Sequence, residues 1–561
     1  MLNIRIPWRF PMKRPVAATV VLFVFSSLVA AQASEKDVST IIVEARDHSL
    51  VMRHLHDLVE DIGPRLTGSR KLQKACEWAV SRFKSFGIAN AHLEQWGTFP
   101  VGFDRGVMMG RMVSPEELKL DVTTPAWSPG TDGSVTAATA LCPKTPEEVE
   151  ASAKALKDKW ALLADRPGRG SNIKALATAL ESVGAKGLLY ASRGRTEDLV
   201  ITSGNYRIFW NDLPTFPRIL LRKDQTDRIA GLLRQSKQVQ LEFDIDNRFR
   251  EGPIPLYNVV ADIPGTEWPD EYVIMGGHID SWDGATGTTD NGTGVATTLE
   301  AARVLMKAGV RPKRTIRFML WSGEEQGLLG SRAWIKAHPE MLDKISAVIV
   351  HDGGTNYVSG ITVTPAMNVD MSKVFLPITR LSSGLPFEIT VSPEGLPAGI
   401  GSDHDSFLSA GVPGFFWHQA GRANYTHTHH TQFDTFDQAI PEYERHTSMV
   451  VAVAALGLAN LDHLLDRTKL RAPRRRGRRR MLGVQLDDGM RLTMVVEDGA
   501  AAKAGLLVGD KIVSIEGKPI AGSADIREAL RTRKAKLKVV YERAGKKAET
   551  TLQYPRRRRR Q

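Results

Sequence analysis

The chain has 561 residues, 42% hydrophobic and 25% charged, ordinary globular proportions that exclude wholesale disorder, a collagen-like repeat and a polytopic membrane protein. Its length suggests about three to five domains, and two cysteines exclude a disulfide-built scaffold, so stability rests on apolar cores. The net charge of +12 is not a nucleic-acid signature. Residues 467–480, 556–560 and 1–34 hold nine, five and four basic residues and no acid, and without them the rest of the chain carries −6.

Arg5, Arg9, Lys13 and Arg14 precede an apolar run over residues 16–30, followed by Ala31-Gln32-Ala33. The run is short for a bilayer span of about 20 residues. The pattern reads as a cleaved export signal over residues 1–33, with Met12 an alternative start, and predicts a periplasmic or secreted protein more readily than a membrane-anchored one. Cys76 sits in a helical pattern and Cys142 after a strand-like stretch. Two buried free thiols are expected in preference to a bond between them.

Leu50, Leu55, Leu58 and Val59 recur at helical spacing until Gly63-Pro64, and a second helix follows Gly68-Ser69. Residues 160–164 and 187–190 are short apolar strands around a helix over 173–183, a small α/β unit of their own. From residue 257 strands (272–275, 315–320, 347–350, 414–417) alternate with helices such as 294–307. This predicts an α/β fold with a mostly parallel twisted sheet flanked by helices, whose site lies beyond the carboxyl ends of the strands. The expected division is a catalytic domain in two parts, 34–110 and 251–465, around an insert over 111–250. An arginine-rich linker (466–480), a small β-rich domain (481–555) and a basic tail (556–561) follow.

The chemistry gathers where those strands end. The first runs into His278-Ile279-Asp280 and, after a loop, Asp290-Asn291-Gly292. The second ends in Glu324-Glu325, the third in His351-Asp352, and late in the chain come His427, His429, His430 and Asp434. Imidazoles and carboxylates at one sheet edge suit zinc. Two histidines (His278, His430) and three carboxylates (Asp290, Glu325, Asp352) suffice for two Zn2+ ions if one carboxylate bridges. Such a pair lowers the pKa of a shared water and polarises a carbonyl. Glu324 is then free as general base, and Asp280 is expected to take the far imidazole N–H of His278. Each piece alone has a commoner structural explanation; four such sites after four strands of one domain do not.

Gly277-His278-Ile279-Asp280-Ser281-Trp282-Asp283, Gly287 and Asp290-Asn291-Gly292 resemble the metal-binding block of the co-catalytic di-zinc exopeptidases, which include bacterial aminopeptidases and glutamate carboxypeptidases. Residues 62–69, 311–317 and 320–326 are similar to the plasma glutamate carboxypeptidase (carboxypeptidase Q) branch. The resemblance spans residues 39 to 465. It implies His278, Asp290, Glu325, Asp352 and His430 as ligands, Asp290 bridging, and Glu324 as general base and acid. It selects His430 over His427 and His429 because His430 stands four residues before Asp434-Thr435. The residue preceding that ligand, aromatic in some members, is here His429, expected to donate to the oxyanion. Ser402-Asp403-His404 resembles a pocket segment of bacterial members, and the insert resembles a protease-associated domain that shapes substrate access.

Residues 501–517 resemble the core of export-compartment PDZ domains, with Leu482, Gly483 and Val484 where the carboxylate-binding loop belongs. That implies capture of a peptide C-terminus. The implied activity is hydrolysis of short peptides or dipeptides to free amino acids through a metal-bridging hydroxide and Glu324. The alternatives are an aminopeptidase on longer peptides, a single-zinc glutaminyl cyclase and a non-catalytic receptor-like homologue. No specific nucleic-acid partner is expected. The arginine-rich segments suit an anionic surface, and an oligomer stays open.

Overall fold

An apolar run such as Ala347–Val350, buried at every position within the strand Ile345–Val350, reads as a central strand covered on both faces. The computed structural model of the chain describes residues 35–167, 172–381, 384–470, 482–486, 490–495, 499–530, 532 and 534–554. The export signal, most of the arginine-rich linker and the terminal arginine run lie outside the described residues. The chain divides into two compact units, residues 1–472 and 473–561.

The first unit is built on one 14-stranded mixed sheet flanked by helices. At its centre Trp268–His278 runs parallel to both Arg314–Trp321 and Ile345–Val350, and Ile345–Val350 runs parallel to Gly414–Ala420. Thr293–Ala308 and Pro441–Ala459 bury almost their whole length in the main core with Val273, Phe318 and Ile349. Ser69 caps the helix Arg70–Ser85, its side chain accepting from Leu72 N–H.

Two features exceed the sequence expectation. His92–Ser114 and Gln240–Ile263 pair antiparallel along most of their length. Gln240–Ile263 also pairs with Arg314–Trp321 on the catalytic side and with Ser134–Leu141 on the insert side. The insert keeps cores of its own, around Trp160, Leu189 and Phe243 and around Leu163, Leu180 and Leu188, yet its strands continue the catalytic sheet. The ribbon escapes periodicity because register shifts at Gln95/Gly97, Phe99/Val101, Arg105/Met108 and Met112/Ser114 break the alternation. Both cysteines are free and buried, and burial raises each thiol pKa.

The second unit pairs Val484–Leu486 with Leu492–Val495 and builds a four-stranded antiparallel sheet from Lys511–Ile515, Lys518–Pro519, Lys536–Arg543 and Lys546–Gln553. Leu492, Ile512, Ile515, Leu537 and Leu552 form its core. Buried Asp510 takes a bidentate bond from Arg543 at 2.6 and 2.7 Å. Among the described residues no helix is long and apolar enough to cross a membrane.

Candidate metal centre

Register brings the first ligand candidates together. His278 ends its strand directly opposite Trp321, so the turn after Trp321 carries Glu324 and Glu325 past the same edge. Ile345–Val350 flanks the other side and delivers Asp352. Gly276 permits this closeness, since a Cβ there would lie 2.0 Å from the Met319 carbonyl oxygen. Asp290 enters on the turn Thr288–Gly292 before Thr293–Ala308, and His430 on the loop after Tyr425–Thr428.

Asp290 lies between two sets of donors. Its Oδ1 is 3.3 Å from His278 Nε2, which is 3.5 Å from Asp352 Oδ1. Its Oδ2 is 3.1 Å from His430 Nε2, which is 3.0 Å from Glu325 Oε2. All five predicted ligands thus converge, as two groups of one imidazole and one carboxylate sharing Asp290. His278 Nε2, Asp290 Oδ2 and Glu325 Oε1 are buried with no hydrogen-bond partner among the described residues. Desolvated acceptors with nothing to accept from are costly. The donor set fits two divalent cations, which would satisfy them.

Carboxylate crowding says the same. Burial, with Asp290 adding to it, pushes Glu325 up to about 7. Burial also pushes Glu324 well above the usual carboxylate range, reinforced by Asp352 and Glu325. Burial alone would lower His430, but Glu325 and Asp290 outweigh it and hold it at about 11.

Around the ligands lies a frame of hydrogen bonds. His278 Nδ1–H donates to the main-chain carbonyl of Asp280 at 2.9 Å, while the Asp280 carboxylate stands 3.5 Å off. The sequence expectation gave that proton to the carboxylate. The carboxylate instead accepts from Thr67 Oγ1 at 2.8 Å and from the main-chain N–H groups of Glu324 and Glu325 at 3.3 Å each. Arg65, fully buried, donates to the carbonyls of Ile279, Thr286 and Gly287 at 2.7–2.9 Å and so staples the loop between His278 and Asp290. Asp434 accepts from the N–H groups of Thr289 and Asp290. Arg65 and Thr67 escaped the role assignment, although they stand in the Ile62–Ser69 stretch of the resemblance. Arg65 serves backbone carbonyls, which leave no trace in side-chain pattern.

His429 stacks on His430 at 3.8 Å between ring centroids and packs tilted against Tyr425 at 5.0 Å, its Nε2 3.8 Å from Asp290 Oδ2. His427 stacks on Phe433 instead. A cavity of about 360 Å³ opens over the cluster, lined by Glu324, Asp352, Ser402, Phe416, Tyr425 and His429 among others. Asp403 and His404, next in the chain, are buried, and their side-chain polar atoms have no hydrogen-bond partner among the described residues. Tyr425 went unremarked in the sequence because it precedes the histidine cluster by a helical turn. In the second unit Leu482 is buried with its carbonyl accepting from Ala501 N–H at 2.8 Å, Gly483 is left-handed at φ 75°, and Val484 opens a strand.

Comparison with known proteins agrees with this geometry. Residues 258–455 match Peptidase family M28, and residues 492–543 match the PDZ domain. Carboxypeptidase Q of Mus musculus is 26% identical over 421 residues, 73% of this chain and 86% of that protein. Carboxypeptidase Q of Bos taurus is 26% identical over 450 residues, 77% of this chain and 90% of that protein. The crystal structure of a peptidase M28 precursor from Shewanella amazonensis superposes with a TM-score of 0.57 at 27% identity, covering 77% of this chain and 98% of that one. Residues 258–455 are similar to the M28 peptidases, and the chain is a metallopeptidase carrying a PDZ domain.

Proposed function

We propose that this M28 metallopeptidase is a zinc-dependent exopeptidase that releases free amino acids from short peptides or dipeptides. The observation that carries the reading is Asp290 shared between the His278–Asp352 and His430–Glu325 pairs, with Glu324 beside them and in neither. His278, Asp352 and Asp290 would hold one zinc ion, and His430, Glu325 and Asp290 a second. Bound there, the ions supply Lewis acidity, activating water and polarising the scissile carbonyl.

The chain's own residues do the rest. Glu324, on the cavity wall beside both pairs, accepts the proton of the attacking water and returns it to the leaving amine. The Asp280 carboxylate fixes the main chain of Glu324, and the Asp280 carbonyl fixes the tautomer of His278 so that Nε2 presents its lone pair to the site. His429 faces the cavity and donates to the oxyanion. A cavity of about 360 Å³ lies at the small end of ligand pockets and suits a dipeptide better than an extended chain.

Leu482, Gly483 and Val484 take a peptide C-terminus in the PDZ domain, the peptide pairing along Val484–Leu486. Residues 1–33 direct export, and the arginine-rich segments contact anionic surface. The deciding experiment is a dipeptide-library screen on wild type and Glu324→Gln, with and without chelator. Release of amino acids that is lost with chelator and in the variant supports the reading. Turnover that persists in metal-free protein removes it. A stoichiometry of one ion per chain with glutaminyl cyclisation favours the cyclase alternative.

A further inference from the structure

The loop that carries His430 does not stand on the catalytic half alone. Insert residues 198–202 lie along it, with Ile201 bridged antiparallel to Thr431. Thr202 N–H donates to the His430 carbonyl at 2.9 Å. Val200 N–H donates to Gln432 Oε1 at 2.8 Å, and the Gln432 amide donates to the Asp198 carbonyl at 2.7 Å. Gln432 therefore closes a double clasp two residues from His430. Arg195 adds a bond from Nη1 to Thr426 Oγ1 at 3.2 Å.

The clasp falls where the backbone needs it. His430 has φ 61°, a left-handed conformation that costs a non-glycine residue on the order of 1 kcal/mol and persists only where its surroundings enforce it. Thr202 also abuts the other loop of the centre: a Cβ on Gly284 would lie 2.0 Å from Thr202 Oγ1. Two residues earlier Trp282 packs edge-on against His430 at 6.1 Å. From the long ribbon Arg105 holds Asp283, between them, at 3.0 Å through two nitrogens, both side chains nearly fully buried.

From these contacts we infer that the insert positions one metal site: the segment Asp198–Thr202, acting through Gln432, sets His430 and so tunes affinity at the His430–Glu325 position without touching the His278–Asp352 position. Gln432 is a positioning residue. This inference rests on the two-ion reading above. It adds to the insert's expected role in shaping access a direct part in assembling the centre.

The test is a zinc titration of the full-length metal-free chain against a chromophoric chelator. Wild type should bind in two phases, one of which His430→Ala abolishes. In Gln432→Ala that same phase should weaken by about tenfold or more, in line with the effect of partners that orient ligands, while the other keeps wild-type strength. Gln432→Glu keeps the acceptor for Val200 N–H and loses the donor to Asp198, so it should fall between; it carries the comparison should Gln432→Ala not fold. Two phases at wild-type strength in both variants, or equal weakening of both phases, overturn the inference. A single phase in wild type overturns the two-ion reading instead.

Discussion

The carboxylate of Asp280 accepts the main-chain N–H groups of Glu324 and Glu325, at 3.3 Å each, while its own carbonyl accepts Nδ1–H of His278 at 2.9 Å. One residue thereby ties a metal-ligand candidate at the end of one strand to the proposed general base and a second ligand candidate at the end of the next. Asp280→Asn would turn an N–H donor toward one of those main-chain N–H groups. We expect kcat to fall about 10- to 100-fold at saturating zinc, with KM little changed. Steady-state kinetics on one dipeptide decides it, and an unchanged kcat would remove Asp280 from the frame.

Glu324 and Glu325 are neighbours with different work. Only Glu325 touches His430, at 3.0 Å. Glu324→Gln should therefore retain both zinc ions while kcat drops by about 100- to 10,000-fold, the range for loss of a general base. Glu325→Gln should lose zinc as well as activity. Metal content by elemental analysis beside kcat separates the two, and loss of zinc in Glu324→Gln would contradict the assignment.

The parts of this architecture legible in sequence are those set by local pattern. Ala347–Val350 is a run of apolar residues that suits a central strand, and the polar residues after it had to face the sheet edge. The candidates His278, Glu325 and Asp352 were legible for that reason, whereas His430 was picked out among three histidines by the resemblance. The ribbon of His92–Ser114 and Gln240–Ile263 was not, because its irregular register, with Pro100, Pro253 and Pro255 inside it, hides the strand period. Nor was the use of Gln432, whose partners Asp198 and Val200 stand more than 230 residues away. Long-range main-chain bonds place no constraint on neighbouring residue types, so periodicity cannot see them.

Arg65 is the buried cation of the centre. Burial lowers its pKa to about 10 against the pull of Asp434 and Asp280, so it remains charged at neutral pH. Arg65→Met removes the bonds to the carbonyls of Gly63, Ile279, Thr286 and Gly287 and leaves the nearby carboxylates without a counter-charge. It should destabilise the first unit by on the order of 3–5 kcal/mol. Urea unfolding of the metal-free chain measures this, and a loss below about 1 kcal/mol would mean that water replaces the guanidinium.

Glu444, 1% exposed on Pro441–Ala459, is held by hydroxyls alone, Thr355 Oγ1 at 2.7 Å and Thr297 Oγ1 at 3.3 Å. Burial raises its pKa from 4.5 to about 8. A carboxyl whose folded pKa lies above its unfolded value favours folding fully below the unfolded value. That advantage shrinks as pH rises, because the unfolded chain ionises while the folded one stays protonated, and it is gone once pH passes the folded value. Between about pH 4.5 and 8 this one group should cost the fold on the order of a few kcal/mol. Glu444→Gln keeps an acceptor and cannot ionise, so its stability should decline less than that of wild type from pH 5 to 8. Thermal melts of both proteins in metal-free buffer check the difference, and parallel pH profiles would show that Glu444 is already ionised in the folded chain.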